Sequence, residues 1–101
     1  MSKKYDIVLY MKGQCDGLNK KEIKELCKKI GRKQVYPIEV FARKYQCCAI
    51  GFITVGAAEK LNFDYNKSGL ETFIADTLDD DDRGWTEING TFKGIKLYIT
   101  I

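Results

Sequence analysis

Cys47-Cys48-Ala49-Ile50-Gly51-Phe52-Ile53-Thr54-Val55 is the most apolar run in the chain, and its reading decides the fold. It is rich in β-branched and aromatic residues and far shorter than the roughly 20 residues needed to cross a bilayer. That composition predicts a central strand. Alternation places Cys47, Ala49, Gly51, Ile53 and Val55 on one face, and Cys48, Ile50, Phe52 and Thr54 on the other. The first set is expected to meet helices. The second, centred on Phe52, is expected to carry function.

Upstream, Gln34 to Arg43 predicts a strand that holds the only proline, Pro37. Proline cannot donate to a sheet ladder, which predicts an edge position. Tyr5 to Met11 alternates about Ile7, Leu9 and Met11, with Val8 and Tyr10 on its other face. Between these strands, Asn19 and Glu22 form a capping-box pattern. Ile23, Leu26, Cys27 and Ile30 then recur at helical spacing as far as Gly31, with Lys20, Lys24 and Lys28 on the opposite side.

Downstream, Gly56 to Leu61 fits a short helical turn. Ser68 and Glu71 repeat the capping box ahead of an amphipathic stripe of Leu70, Phe73, Ile74 and Leu78. Consecutive aspartates oppose the dipole at a helix C-terminus, so the helix is expected to end near Leu78 and Asp79, Asp80, Asp81 and Asp82 to lie in a loop. Asn89-Gly90 predicts a hairpin turn between Trp85–Ile88 and Thr91–Phe92. Ile95 to Ile101 alternates as a last strand. The sum is a single α+β domain over residues 1–101. Its expected architecture is a two-layer ferredoxin-like sandwich, βαββαβ with an extra hairpin before the last strand and both helices on one face.

A chain of 101 residues, 45% apolar and 31% charged, supports one modest core and is not of disordered composition. Lys3-Lys4 ahead of Ile7 to Met11 is too short an apolar run for a secretion signal, and no small-residue cleavage site follows. The expectation is therefore a cytoplasmic protein without a membrane partner. The four cysteines stand at 15, 27, 47 and 48, with no CxxC spacing and no histidine, which excludes a zinc site. They are expected to be reduced, with Cys27 acting as a small hydrophobe on the apolar side of its helix. No metal or cofactor is implied. Residues 1–45 carry twelve Lys and Arg against five Asp and Glu, a balance of +7, whereas residues 46–101 carry five against nine, −4. Such asymmetry suits an electrostatic face for a polyanion or an acidic partner.

With both helices on one side, the uncovered sheet face gathers Val8, Tyr10, Phe41, Arg43, Cys48, Ile50, Phe52, Lys96 and Tyr98. Aromatic rings beside basic residues form a stacking platform for unpaired bases, worth roughly 1–3 kcal/mol per base. The candidate binding residues are Tyr10, Lys12, Phe41, Arg43, Ile50, Phe52, Lys96 and Tyr98, and the expected partner is single-stranded nucleic acid or a protein that handles it. A second copy of the chain is the other candidate occupant, since so large an apolar patch seldom stays bare.

Cys48-Ala49-Ile50-Gly51-Phe52-Ile53-Thr54-Val55 resembles the third-strand octamer of the RNA-recognition-motif family, with Gly51, Phe52 and Ile53 as the matching positions. Ile50 stands where that family carries a stacking aromatic, and Cys48 where it carries a basic residue. Ile88-Asn89-Gly90 and Phe92 to Ile99 are similar to the hairpin and fourth strand of such domains, and Tyr10 takes the place of the exposed first-strand aromatic. The resemblance implies a ferredoxin-like fold and a non-enzymatic binding role for RNA or protein.

Catalytic readings find less support in the residues. Cys15 in a loop before a helix invites comparison with glutaredoxins and Cys-x5-Arg phosphatases, but the second redox cysteine is missing and Lys21 stands where the arginine belongs. Lys12-Gly13 to Gly17 lacks the GK[ST] ending of a P-loop. No calcium-loop pattern surrounds Asp79 to Asp82. These four acids, with Asp76 and Glu87, supply an alternative reading as a phosphate mimic. In size and composition the chain resembles small phage and mobile-element inhibitors of host defence, including anti-CRISPR proteins, which implies protein–protein binding through the acidic loop.

Overall fold

The computed structural model describes residues 5–12, 17–31, 34–42, 47–64, 69–79 and 87–100. Its elements run β1 (Ile7–Lys12), α1 (Lys20–Ile30), β2 (Val35–Ala42), β3 (Cys47–Thr54), α2 (Val55–Lys60), α3 (Leu70–Asp79), β4 (Glu87–Phe92) and β5 (Ile95–Thr100). The strands form one mixed sheet in the order β2-β3-β1-β5-β4. β3 is antiparallel to both β1 and β2, β5 is parallel to β1, and β4 is antiparallel to β5.

Local chemistry accounts for most boundaries. Asn19 caps α1, its side chain accepting the Glu22 amide at 2.8 Å, and Gly31 ends the helix in the left-handed region at φ 63°. The organising strand stops at Thr54, whose hydroxyl accepts the Ala57 amide at 3.3 Å and so caps α2. Pro37 lies on β2, an edge of the sheet, where its missing N–H costs no ladder bond. β1 and β3 approach very closely at Gly51. A Cβ there would stand 1.9 Å from the Val8 carbonyl oxygen, so no larger residue fits without moving a strand.

Two expectations about the second half of the chain need correction. Asn89-Gly90 is not a turn but lies within β4, where Asn89 pairs with Tyr98 and Gly90 with Leu97. Gly90 leaves room for Phe73, whose ring lies 3.4 Å from the place a Cβ would take. The turn is Lys93-Gly94, with φ 50° and 79°, as a primed two-residue hairpin requires. The hairpin therefore does not precede the last strand but contains it.

The larger correction concerns layers: the helices cover both faces of the sheet. Ile7, Leu9, Ile38, Val40, Ala49, Ile53, Leu97 and Ile99 pack with Ala57, Ala58 and Leu61 of α2 and with Leu70 and Ile74 of α3. Val8, Tyr98 and Tyr5 pack with Leu26 and Ile30 of α1 on the other face, with Tyr10, Val35 and Phe52 against them. The domain is thus α+β with three layers, not two.

Topology shows what is unusual here. β1 connects through α1 to β2, parallel to it and toward one edge. β3 connects through α2 and α3 to β4, parallel to it and toward the other edge. These two connections run in opposite directions from strands of opposite sense, so uniform right-handedness would place all the helices on one face. They lie on opposite faces, and one of the two crossovers is therefore left-handed.

Candidate functional site

On the α1 side of the sheet, alternation and register set the side chains in rows. Phe41, Cys48 and Lys12 form one row; Glu39, Ile50, Tyr10 and Thr100 the next; Pro37, Phe52, Val8, Tyr98 and Asn89 the third. The alternation read from the sequence thus holds, and the aromatic residues do share a face. That face is not open. Tyr98 is 5% exposed and Ile50 8%, while Val8 and Cys48 are fully buried. Tyr10 and Phe52 are half-buried against the α1 cluster.

The fate of each candidate residue follows from that cover. Tyr98 stacks on Tyr5 with ring centroids 5.1 Å apart, and Lys29 of α1 places its ammonium 4.9 Å from the Tyr98 ring centre. Tyr5 in turn donates its hydroxyl to Asn89 Oδ1 at 2.5 Å. Lys12 points back to α1, where its Nζ lies 3.3 Å from the buried Glu22 Oε2. Asn19 Nδ2 donates to the other Glu22 oxygen at 2.5 Å, so the helix cap and the end of β1 are held by one carboxylate. A cleft of about 100 Å³ remains between Tyr10, Tyr98, Thr100 and the Glu22, Glu25, Leu26 and Lys29 side of α1.

Of the seven candidates among the described residues, only Phe41 and Lys96 stay exposed. They sit on β2 and β5, three strand spacings and six residues apart, roughly 25 Å by standard sheet dimensions. They do not converge. Arg43 lies outside the described residues, as do Asp80, Asp81 and Asp82; Asp79 ends α3, and its side chain is likewise outside them. On this face α1 covers Tyr98 and packs against Tyr10 and Phe52, which stay partly exposed.

What α1 presents instead is charge. Its buried arc is centred on Leu26 and Ile30, with Glu22 drawn inward by Asn19 and Lys12. At 100° per residue, Lys20, Lys21, Lys24 and Lys28 fall on the far side, and all four are exposed. Cys27 is carried outward too: it is free and exposed, contrary to the expected apolar placement. The expectation of reduced cysteines also fails at Cys48, which is disulfide-bonded; its partner lies outside the described side chains. The lysine spacing was visible in the sequence as an i, i+4, i+8 pattern. None of these lysines is among the eight candidate binding residues, although the basic N-terminal half is where the charge asymmetry points.

Among the described residues, an exposed aromatic pair also lies at the β2 edge. Tyr36, 43% exposed, meets Phe63, 58% exposed, edge-on at 6.0 Å. Among the described residues no helix is long and apolar enough to cross a membrane, and no three His, Cys, Asp or Glu side chains come together as a metal site. No protein-family model, curated protein or solved structure matches the chain.

Proposed function

We propose that this protein is a non-enzymatic binding module that holds the phosphate backbone of nucleic acid against the outer face of α1. The observation that carries this reading is the placement of Lys20, Lys21, Lys24 and Lys28 on one exposed helix face, with Glu22 neutralised inward against Lys12. Lysines four residues apart stand about 6 Å apart along a helix axis. Glu25 is exposed beside them and subtracts one charge. Binding by such a face is electrostatic and reads no bases, because lysines on a helix surface meet phosphates and no aromatic ring lies among them.

Three phosphate contacts on duplex DNA give a salt slope of about −2.7, so affinity falls roughly 40-fold between 50 and 200 mM salt. Fluorescence anisotropy with a labelled 20-base-pair duplex and its single strand measures this directly. Lys24→Glu with Lys28→Glu, both solvent-facing, is expected to abolish binding and leave the fold intact. Failure to retain either oligonucleotide at 50 mM salt refutes the reading. So does unchanged affinity in the double variant.

A further inference from the structure

Among the described residues α1 is the only helix packed on its side of the sheet, because α2 and α3 lie on the other, so it stands as a ridge. Cations occupy both flanks of that ridge. At 100° per residue, the exposed arc runs in the order Lys20, Lys24, Lys28, Lys21, Glu25, Lys29, which sets Lys20 and Lys29 on opposite sides of the helix. We infer that the ligand is a duplex, B-form DNA whose two backbones are held on the two sides of α1. The inference rests on the phosphate-binding reading of that helix and adds Lys29 and Lys96 to the site.

The second row of cations continues from the helix onto the sheet. Lys29 holds its ammonium 4.9 Å from the centre of the Tyr98 ring, which fixes this flank of α1 on the β5 side. Lys96 stands two residues before Tyr98 on the same face of β5, about 7 Å along the strand, and is exposed. The two flanks of a helix with its side chains are about 10–12 Å apart. The two backbones that border the major groove of B-form DNA are separated by about 12 Å, whereas the deep, narrow major groove of an RNA duplex offers no such opening. Glu25 is exposed and lies between the two rows. A single strand that passes from one row to the other must carry its phosphates across that carboxylate. A duplex sets its phosphates on either side and leaves the groove opening above Glu25.

Salt dependence of binding separates the two ligands. With Lys29 and Lys96 added to three lysines of α1, the slope for a 20-base-pair DNA duplex is expected to be about −4.5, a loss of roughly 500-fold between 50 and 200 mM salt. A single strand that meets only the three lysines of one row has an expected slope of about −2.1, or roughly 20-fold over the same range. Fluorescence anisotropy reads both. Lys29→Gln with Lys96→Gln is expected to bring the duplex slope to about −2.7 and to leave the single-strand slope unchanged. Lys96→Gln alone changes one exposed side chain and is expected to remove about 0.9 from the duplex slope, which keeps the test open if loss of the Lys29–Tyr98 contact unfolds the protein. A wild-type duplex slope of about −2.7 that neither variant changes overturns the inference and leaves the lysine face of α1 as the binding site. Equal changes for duplex and single strand overturn it as well. Loss of all binding to both oligonucleotides at 50 mM salt in the unmodified protein removes the underlying reading together with it.

Discussion

Replacing Tyr98 with alanine separates a covered sheet face from an open one. Tyr98 is 5% exposed, lies 5.1 Å from the Tyr5 ring and sits beneath the Lys29 ammonium. Truncation of a buried aromatic costs about 3–5 kcal/mol, so Tyr98→Ala is expected to lose about 4 kcal/mol. Phe41 shares that sheet face but is 47% exposed, and Phe41→Ala is expected to lose less than about 1 kcal/mol. With a urea slope of about 2 kcal/mol/M for a domain of this size, the midpoints move by about 2 M and less than about 0.5 M respectively. Urea titration followed by far-ultraviolet circular dichroism reads both. If Tyr98→Ala leaves too little folded baseline, Tyr98→Leu retains apolar bulk and brings the transition back into range at an intermediate midpoint. Equal small shifts for Tyr98→Ala and Phe41→Ala would mean that the Tyr98 ring is solvent-facing, and the covering of the tyrosine face by α1 would have to be abandoned.

Further expectations rest on single positions. Gly51→Ala drives a methyl group into the Val8 carbonyl and is expected to cost several kcal/mol, read as loss of the cooperative urea transition; a stable Gly51→Ala protein refutes the close approach of β1 and β3. Lys93→Asn places a residue that tolerates left-handed backbone at φ 50° ahead of Gly94, and is expected to raise stability by up to about 1 kcal/mol. A lowered urea midpoint for Lys93→Asn would show that the turn is elsewhere. In a digest prepared without reductant, the Cys48 peptide is expected to be cross-linked and Cys27 freely alkylated; an alkylated Cys48 rejects the disulfide.

Where the fold depends on local chemistry, the amino-acid pattern was a sufficient guide. The Asn19–Glu22 cap, the stop at Gly31, the edge position of Pro37 and the alternation of β1, β3 and β5 all emerge as read. The helix expected to end near Leu78 ends at Asp79. Asn89-Gly90 misleads because its glycine has a second use, making room for Phe73 across the sheet, a contact that no local window contains. A cleft of about 530 Å³ bordered by Asp6, Gln34, Lys60 and Ile95 is invisible in the sequence for a related reason. Its walls come from the starts of three strands and the first turn and end of α2, and no two polar residues among them stand at a motif spacing.

The sheet face is the instructive failure, because composition contained the clue. Expecting a two-layer sandwich puts both helices on one side and leaves Tyr10, Phe52 and Tyr98 bare. Yet a strand with one face in water reads as apolar alternating with polar, whereas a strand covered on both faces reads as a nearly continuous apolar run. Ile7-Val8-Leu9-Tyr10-Met11 and Cys48-Ala49-Ile50-Gly51-Phe52-Ile53 are runs of the second kind, and each lies in the middle of the sheet. Phe41 and Glu39, on the edge strand, show the exposure that the central strands lack. Taken together, the apolar character of both faces of β1 and β3 demands a second covering layer, and α1 is the helix whose apolar side, Leu26 and Ile30, meets that need. Once α1 is on that face, its lysines are necessarily turned to solvent. The exposed lysines and the tyrosine face of the sheet are therefore opposite sides of one helix–sheet contact.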